Sequence, residues 1–433
     1  MEWYTAFLLL AGGLVLAMAS NIPVAFAFGI INIVAAYFLF GSVEALSFVV
    51  HASFSSVASI HLTAIPFFLL MGTIFVRTGL SSVVLDAVDR ILSGVRASGC
   101  YVAIGSGALY GALMGASVAS TAVMGATMVG DLRRRGYDNT LAMGPIIGSG
   151  TLANLIPPSL GAVLIGSLAG IPIADLLIAG VGPAIVVILL FCSYIAIKAR
   201  RFTGVLAEVP ATLRVRLGGV LLLLPMIVPV FFVTGVIYLG VATPTEASAT
   251  GAFATFVVAA AYGRMNWRVF NESLMDALEI AAMIMLIVAS SKAYSQILAI
   301  TGIAPGFAEF LAGVTSSPTV AVLIVLLIAL VLGCFMDQTS VIFVTIPLVI
   351  NAIQTLGVEP VWFGVLFSMI VGIGGITPPF GLNLFALKAV APPDISMGEI
   401  YRICGPYVVL ELLAVGVVLA FPGIVSVLVT AMR

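Results

Sequence analysis

The double proline in "LIPPSLG" (155–161) recurs in "ITPPFGL" (376–382), and the two copies, at Pro157 and Pro378, stand 221 positions apart. Three further matches keep that interval. "GALMGAS" from Gly111 and "GCFMDQT" from Gly333 are 222 apart, Thr78-Gly79 and Thr301-Gly302 are 223 apart, and Pro23 and Pro244 are again 221 apart. One such match arises easily by chance in a chain rich in Gly, Ala and Pro. Four in one order, at nearly one offset, mark an internal repeat, and a repeat constrains the architecture before any single element does. The chain reads as two halves, 1–198 and 214–433, joined by a charged connector over 199–213.

Each double proline lies in an apolar run. The chain of 433 residues is 62% hydrophobic and only 8% charged, where a soluble domain carries about 25% charged residues. This is the composition of a polytopic membrane protein. Runs at 1–20, 23–40, 62–76, 176–197, 218–238, 247–262, 281–300 and 403–429 approach the roughly 20 residues that cross a bilayer as a helix. The first run lacks a basic flank and is followed at once by another, so it is expected to be a retained helix and not a cleaved signal. The expected fold is all-α, with about 10 spanning helices of the usual length, two re-entrant hairpins and two broken helices. The net charge of −1 offers no surface for nucleic acid, and the four cysteines, spaced far apart, give no metal spacing.

Lys and Arg concentrate in cytoplasmic loops, which orients the halves. With the amino terminus outside and each "GxxM" segment taken as the tip of a hairpin (98–132 and 318–352), 15 of the 17 Lys and Arg residues fall inside, leaving only Lys292 and Arg433 elsewhere. Arg96 and Arg133–Arg135 flank one interrupted apolar segment and share a side only if it turns back. The first half then begins outside and the second inside. Antiparallel halves of this kind are built into secondary transporters that work by alternating access. Both termini are expected outside, which the family resemblance given below makes the periplasmic side of the inner (cytoplasmic) membrane.

In hydrocarbon every backbone polar group must find a partner, so irregular backbone at membrane depth survives only where it is buried or lines a cavity. Proline removes a donor and clashes with the preceding turn. The double prolines therefore break two helices, 139–170 and 360–391, and free carbonyls suited to a cation, while the next half-helix offers N–H groups suited to an anion. Pairing tip with break gives two candidate cation sites. The first combines Ser117, Ser120 and Thr121 with Gly150, Asn154 and Pro157; the second combines Asp337 and Thr339 with Gly374, Gly375, Thr377 and Pro378. Ser159, Gln338 and Asn383, beside these features, and Lys292, a cation inside a span, are candidate substrate contacts. No HExxH, paired catalytic carboxylates, Ser/His arrangement or GxxxxGK[ST] loop occurs, which speaks against an intramembrane enzyme and an ATPase. A channel fits poorly with paired broken helices.

These residues carry a resemblance. "IPFFLLMGTIFVRTGL" at Ile65, "GALMGASVAST" at Gly111, "GTLANLIPPS" at Gly150, "TPTEASATGA" at Thr243, "GCFMDQTSVIFVTIPL" at Gly333 and "GITPPFGLNLF" at Gly375 together resemble the large membrane subunit, DctM type, of tripartite ATP-independent periplasmic (TRAP) transporters, along the whole chain. The resemblance implies a plan similar to divalent-anion/sodium symporters, in which a transport region moves against a scaffold as an elevator. It implies Na⁺ as the coupling ion, no other cofactor, and an organic acid anion as substrate: a C4-dicarboxylate, sialic acid or another sugar acid. It implies a periplasmic substrate-binding protein and a small four-helix membrane subunit as partners; the small subunit is fused ahead of the large one in some members, but this chain begins directly with the first large-subunit helix, so a separate one is expected. The alternative within the superfamily is a stand-alone divalent-anion/sodium symporter that needs no binding protein.

Overall fold

The structure is a computed structural model and describes residues 3–20, 22–40, 45–115, 117–200 and 212–432. Most of the connector expected over 199–213 lies outside the described residues. Among the described residues every regular element is a helix.

The halves follow a similar element order, save that Ala45–Val57 and the turn Ile60–Thr63 in the first have no separate counterpart in the second. Trp3–Ala19 and Val24–Phe40 open the first, and Leu213–Leu222, continuing to Tyr238, and Pro244–Ala261 open the second. Ala64–Arg77 and Trp267–Ile300 follow, and each ends at one of the Thr-Gly pairs. The same device closes both: the Thr78 hydroxyl donates to Ile74 O and the Thr301 hydroxyl to Ile297 O, each at 2.7 Å. Gly79 and Gly302 then take φ of +63° and +76°, a conformation that only glycine enters without cost. The chain turns there into Leu80–Leu92, bent 74° from the helix before it, or into Ile303–Val314.

Two hairpins come next, Ser98–Met114 with Ser117–Arg134 and Pro318–Gly333 with Gln338–Thr355. After them come the two broken spans, Asn139–Thr151 with Leu160–Ala169 and Pro360–Ile376 with Leu382–Val390. A carboxylate caps each broken span at its start: Asp138 accepts from Leu141 N at 2.8 Å, and Glu359 from Val361 N at 3.0 Å. Ile173–Ala179 with Val181–Arg200, and Met397–Ala420 with Gly423–Met432, end the halves.

Three runs differ from the apolar boundaries, and that at 218–238 begins at Leu213 and bends by 43° after Leu222. The segment at 281–300 is only the later part of a 34-residue helix, Trp267–Ile300, about 50 Å long at the usual rise; its polar first turns carry Glu272 and Asp276, which Arg77 binds. The run at 403–429 is divided at Pro422, where proline cannot continue the ladder.

Ala64–Arg77 and Trp267–Ile300 run antiparallel where they pack together. Arg77, ending Ala64–Arg77, pairs at 2.7 Å with Glu272 and at 2.6 Å with Asp276, near the start of Trp267–Ile300. At the same end Arg264 donates to Gly79 O at 2.7 Å, Arg216 to Ser93 O at 3.0 Å, and Arg135 reaches Asp89 at 3.6 Å. Contacts at the other end join Thr245 to Ile60 O and Trp3 to Phe310.

The hairpins and broken spans form the buried middle of the molecule. Residues 141–155 and 340–350 are almost wholly buried. Apolar burial supplies no force against lipid tails, so close packing of small residues must hold these helices together. That is what the glycines do. A Cβ on Gly111 would lie 2.8 Å from Ala153 Cβ, and one on Gly374 would lie 2.7 Å from Gly333 Cα. Gly111 and Gly333 are repeat partners at 222, Ala153 and Gly374 at 221, so one interhelical contact is built twice.

Candidate functional site

A proline nitrogen has no hydrogen to give the carbonyl four residues earlier. The double prolines thus deprive Ala153, Asn154, Gly374 and Gly375 of their helical donors. The structure repairs half of this: the Ser159 hydroxyl donates to Asn154 O at 2.8 Å and Thr377 N to Gly374 O at 3.1 Å. No donor among the described residues reaches Ala153 O or Gly375 O. These two carbonyls occupy neighbouring places in the two breaks. The peptide bonds Pro157-Pro158 and Pro378-Pro379 are both cis, so the breaks share a backbone form as well as a sequence.

The first hairpin tip meets the first break and receives a residue from the second. Gly115, at φ +60°, closes the first arm by donating from its N–H to Gly111 O at 2.8 Å. Ser117 then starts the second arm, where its carbonyl accepts from Thr121 Oγ1 at 3.0 Å. Asn383, fully buried, donates from Nδ2 to Ser117 Oγ at 2.5 Å. Gly150 faces this group so closely that a Cβ there would fall on Thr121 Oγ1 and lie 3.4 Å from Asn383 Nδ2. The remaining oxygen of Asn383, Oδ1, is buried without a donor. An orphan acceptor of this kind requires an explanation, and a cation is one.

Ser117, Thr121, Gly150 and Asn383 are therefore brought together. Ser120 is not: its hydroxyl turns to Gly107 O at 3.3 Å, in the other arm of its hairpin. Ser159 is spent as the cap of Leu160–Ala169, donating to Asn154 O and accepting from Ala162 N at 3.2 Å. Asn154 reaches across to the second half, its Nδ2 lying 3.1 Å from where a Cβ on Gly372 would be, and that nitrogen has no acceptor.

At the second tip Asp337 caps Gln338–Thr355, accepting from Ser340 N at 3.0 Å and from the Ser340 hydroxyl. Gln338, not Asp337, lies against the break: its Nε2 is 2.8 Å from the Cβ position of Gly375, buried and without an acceptor. Thr377 bonds back to Ile373 O at 2.6 Å. Pro379 O accepts from Tyr401 Oη at 2.5 Å, and Cys334 O from Phe380 N at 3.2 Å, which ties the break to the tip.

Asp337 and Thr339 face a cavity of about 830 Å³, lined also by Thr73, Arg77 and Asp276 on one side and by Met114 of the first tip on the other. The walls are mostly apolar. Among the described residues Arg77 is the only basic one lining it, and that guanidinium already holds two carboxylates. Lys292 does not line this cavity, and it is half-buried with no hydrogen-bond or ion-pair partner among the described residues.

A family model described as the tripartite ATP-independent periplasmic transporter, DctM component, matches residues 11–424. The chain belongs to that family. It is similar to the C4-dicarboxylate TRAP transporter large permease protein DctM of Pseudomonas aeruginosa, 29% identical over 370 residues and 84% of each chain. It is 28% identical to the ectoine TRAP transporter large permease protein TeaC of Halomonas elongata over 420 residues, 95% of each chain. The fold is like that in a crystal structure of the Alcanivorax borkumensis YdaH transporter, at a TM-score of 0.59, 14% identity, and 87% and 88% of the two chains. This DctM chain is thus a multi-pass TRAP large permease.

Sequence reasoning passed over two features of the DctM site. Arg77 counted only among the cytoplasmic charges, and nothing in the sequence pointed to Glu272 and Asp276 as its partners. Glu411, a lone acid in "VVLELLAV", sits inside a span, and an intramembrane carboxylate is by default a functional candidate; that signal was present and unused. It is 3% exposed and meets the Thr151 hydroxyl, beside Gly150.

Proposed function

We propose that the chain is the permease subunit of a Na⁺-coupled secondary transporter that imports an organic acid anion. The anion is delivered by a periplasmic binding protein, and a small membrane subunit completes the complex. The hairpins and broken spans move as an elevator against a scaffold of Trp3–Ala19, Val24–Phe40, Ala64–Arg77, Pro244–Ala261 and Trp267–Ile300. The protein carries its cargo across the membrane and does not transform it.

The reading rests chiefly on the acceptors left open around the breaks. Asn383 Oδ1 and the carbonyls of Ala153 and Gly375 lack donors among the described residues, while a cavity that reaches both hairpin tips, at Met114 and Asp337, also holds Asp276 and a guanidinium already committed to two acids. An anion entering it meets no spare cation among the described residues and gains most if a metal cation enters too. Na⁺, with oxygen ligands and no strict geometry, suits carbonyl, hydroxyl and amide acceptors at a broken helix. The antiparallel packing of Ala64–Arg77 with Trp267–Ile300 and the doubled Gly111–Ala153 and Gly333–Gly374 contact support two related arrangements exchanging across one site. Relatives named for C4-dicarboxylate and ectoine transport support a small carboxylate-bearing cargo.

The test is uptake of labelled organic acids into proteoliposomes holding this chain with its small subunit, with and without the binding protein. Uptake that needs an inward Na⁺ gradient and the binding protein is the expected result. Saturable Na⁺-driven uptake by the chain alone replaces the tripartite reading with the stand-alone symporter, and uptake indifferent to Na⁺ removes the coupling ion.

A further inference from the structure

Glu411 has no part in the reading above, yet its surroundings are specific. Thr151, the last residue of Asn139–Thr151, places its hydroxyl 2.7 Å from Gly148 O and also against the Glu411 carboxylate. A hydroxyl has one proton to give. If it goes to Gly148, the contact with Glu411 requires a proton on the acid. If it goes to Glu411 as an anion, a full charge is buried on a single hydrogen bond, far costlier than burying the neutral acid.

Among the described residues nothing charged lies against it. Thr151, Leu155, Val187, Met369, Ile373 and Glu411 bound a cavity of about 10 Å³, room for one water at most. The tyrosines and thiols on the packed elements are centred elsewhere: Tyr407 one turn earlier, Tyr194 with its ring 5.6 Å from that of Tyr407, and Cys192 and Cys404. Pro360–Ile376 and Gly423–Met432 contribute none. The charges of these elements sit toward their ends: Asp138 and Glu359 as caps, Lys198 and Arg200 closing Val181–Arg200, Lys388 donating to Ile395 O, and Glu399 and Arg402 at the start of the helix that carries Glu411.

We propose that Glu411 is a proton-binding site linked to the first cation site: it carries a proton until a cation settles among Ser117, Thr121, Gly150 and Asn383, and then releases it. The inference rests on the Na⁺ reading given above. Glu411 is a positioning residue and does not touch the cation. When the cation arrives, the Thr151 hydroxyl turns from Gly148 O to the new carboxylate, one proton leaves per cation bound, and the buried net charge is unchanged. Linkage is reciprocal, so cation affinity rises with pH, by up to about tenfold per unit, the limit for one exchanged proton.

Na⁺ titration of the full chain in nanodiscs across pH tests this, together with proton release read by a pH dye in weak buffer and the infrared band of a protonated carboxyl. The unmodified chain should bind Na⁺ more tightly as pH rises, release one proton per ion, and show a carboxylic-acid band that Na⁺ diminishes. Glu411→Gln keeps the shape and can donate to Thr151 as the neutral acid does. It should lose the band and bind Na⁺ with the acid-limit affinity at every pH, while Thr151→Ser keeps the pH dependence. A Glu411→Gln chain with unchanged pH dependence overturns the proposal, as does one that binds no Na⁺ at any pH, which would make the carboxylate a ligand. The band without any pH-dependent Na⁺ binding overturns the linkage alone. An unmodified chain that binds no Na⁺ at all removes the coupling-ion reading and the linkage with it.

Discussion

Replacing Gly374 by Ala inserts one methyl group where two backbones touch. The new Cβ would lie 2.7 Å from Gly333 Cα, 3.0 Å from Gly333 C and 3.3 Å from its oxygen, whereas carbon atoms rest comfortably at about 3.5–4.0 Å. All three obstacles are main chain, so no side chain can swing aside. The arm Pro318–Gly333 must withdraw from Pro360–Ile376 by about 1 Å to restore contact distance. Overpacking of this kind costs about 1–3 kcal/mol. Because Gly374 and Gly375 lie in the break against which the second tip packs, that cost should appear as a loss of Na⁺ activation of about 5- to 150-fold. Gly416→Ala is the comparison: it is another helical glycine, but its Cβ would meet nothing within 4 Å. The assay is thermal unfolding in detergent beside Na⁺-dependent uptake by the assembled transporter. Gly111→Ala, which strikes Ala153, should reproduce the defect in the other half. Equal stability and equal Na⁺ activation in the Gly374→Ala and Gly416→Ala chains would refute the reasoning, because the close approach would then not constrain the tip.

Two further outcomes are expected. Asn383→Ala removes the hydrogen bond to Ser117 and the unpartnered Oδ1 together; at about 0.5–1.5 kcal/mol for the bond alone, with a cation ligand lost as well, the Na⁺ concentration for half-maximal uptake should rise at least about tenfold, and an unchanged value removes Asn383 from the site. The Arg133 guanidinium, hydrogen-bonded to Asp394, holds that carboxyl below the usual carboxylate range. The stabilisation is present above the ordinary Asp range and is lost as pH falls through the lowered value, so the small difference in unfolding temperature between the native chain and Asp394→Asn should vanish at low pH and shrink in high salt, and a difference that grows on acidification contradicts the assignment.

The sequence determined a good deal by itself. Composition excludes a soluble fold because a chain with so few charges cannot face water. The interval of 221 to 223 residues pairs the hairpins and the breaks because each half must solve the same packing problem with the same small residues. The double prolines announce which carbonyls lose their donors, since the missing hydrogens belong to the chain and not to its surroundings. Arg and Lys gather toward one end of the bundle because an unpaired charge is costly in hydrocarbon and they concentrate in cytoplasmic loops.

Only the tertiary structure decided which partners fill the vacancies. Ser120 and Asp337 read from sequence as candidate cation ligands and Ser159 as a candidate substrate contact; in the structure Ser120 bonds into its own hairpin and the other two cap helices, because the nearest backbone groups claim them. Asn383 crosses from the second half to the first tip, Asn154 reaches toward Gly372, and Gln338 takes the place by Gly375 that Asp337 was expected to hold. No spacing in the sequence reports these crossings. They follow from how closely two glycine-lined helices approach, a distance set by the packing of all the elements at once, and so the sequence names the atoms left unpaired while the fold chooses what they meet.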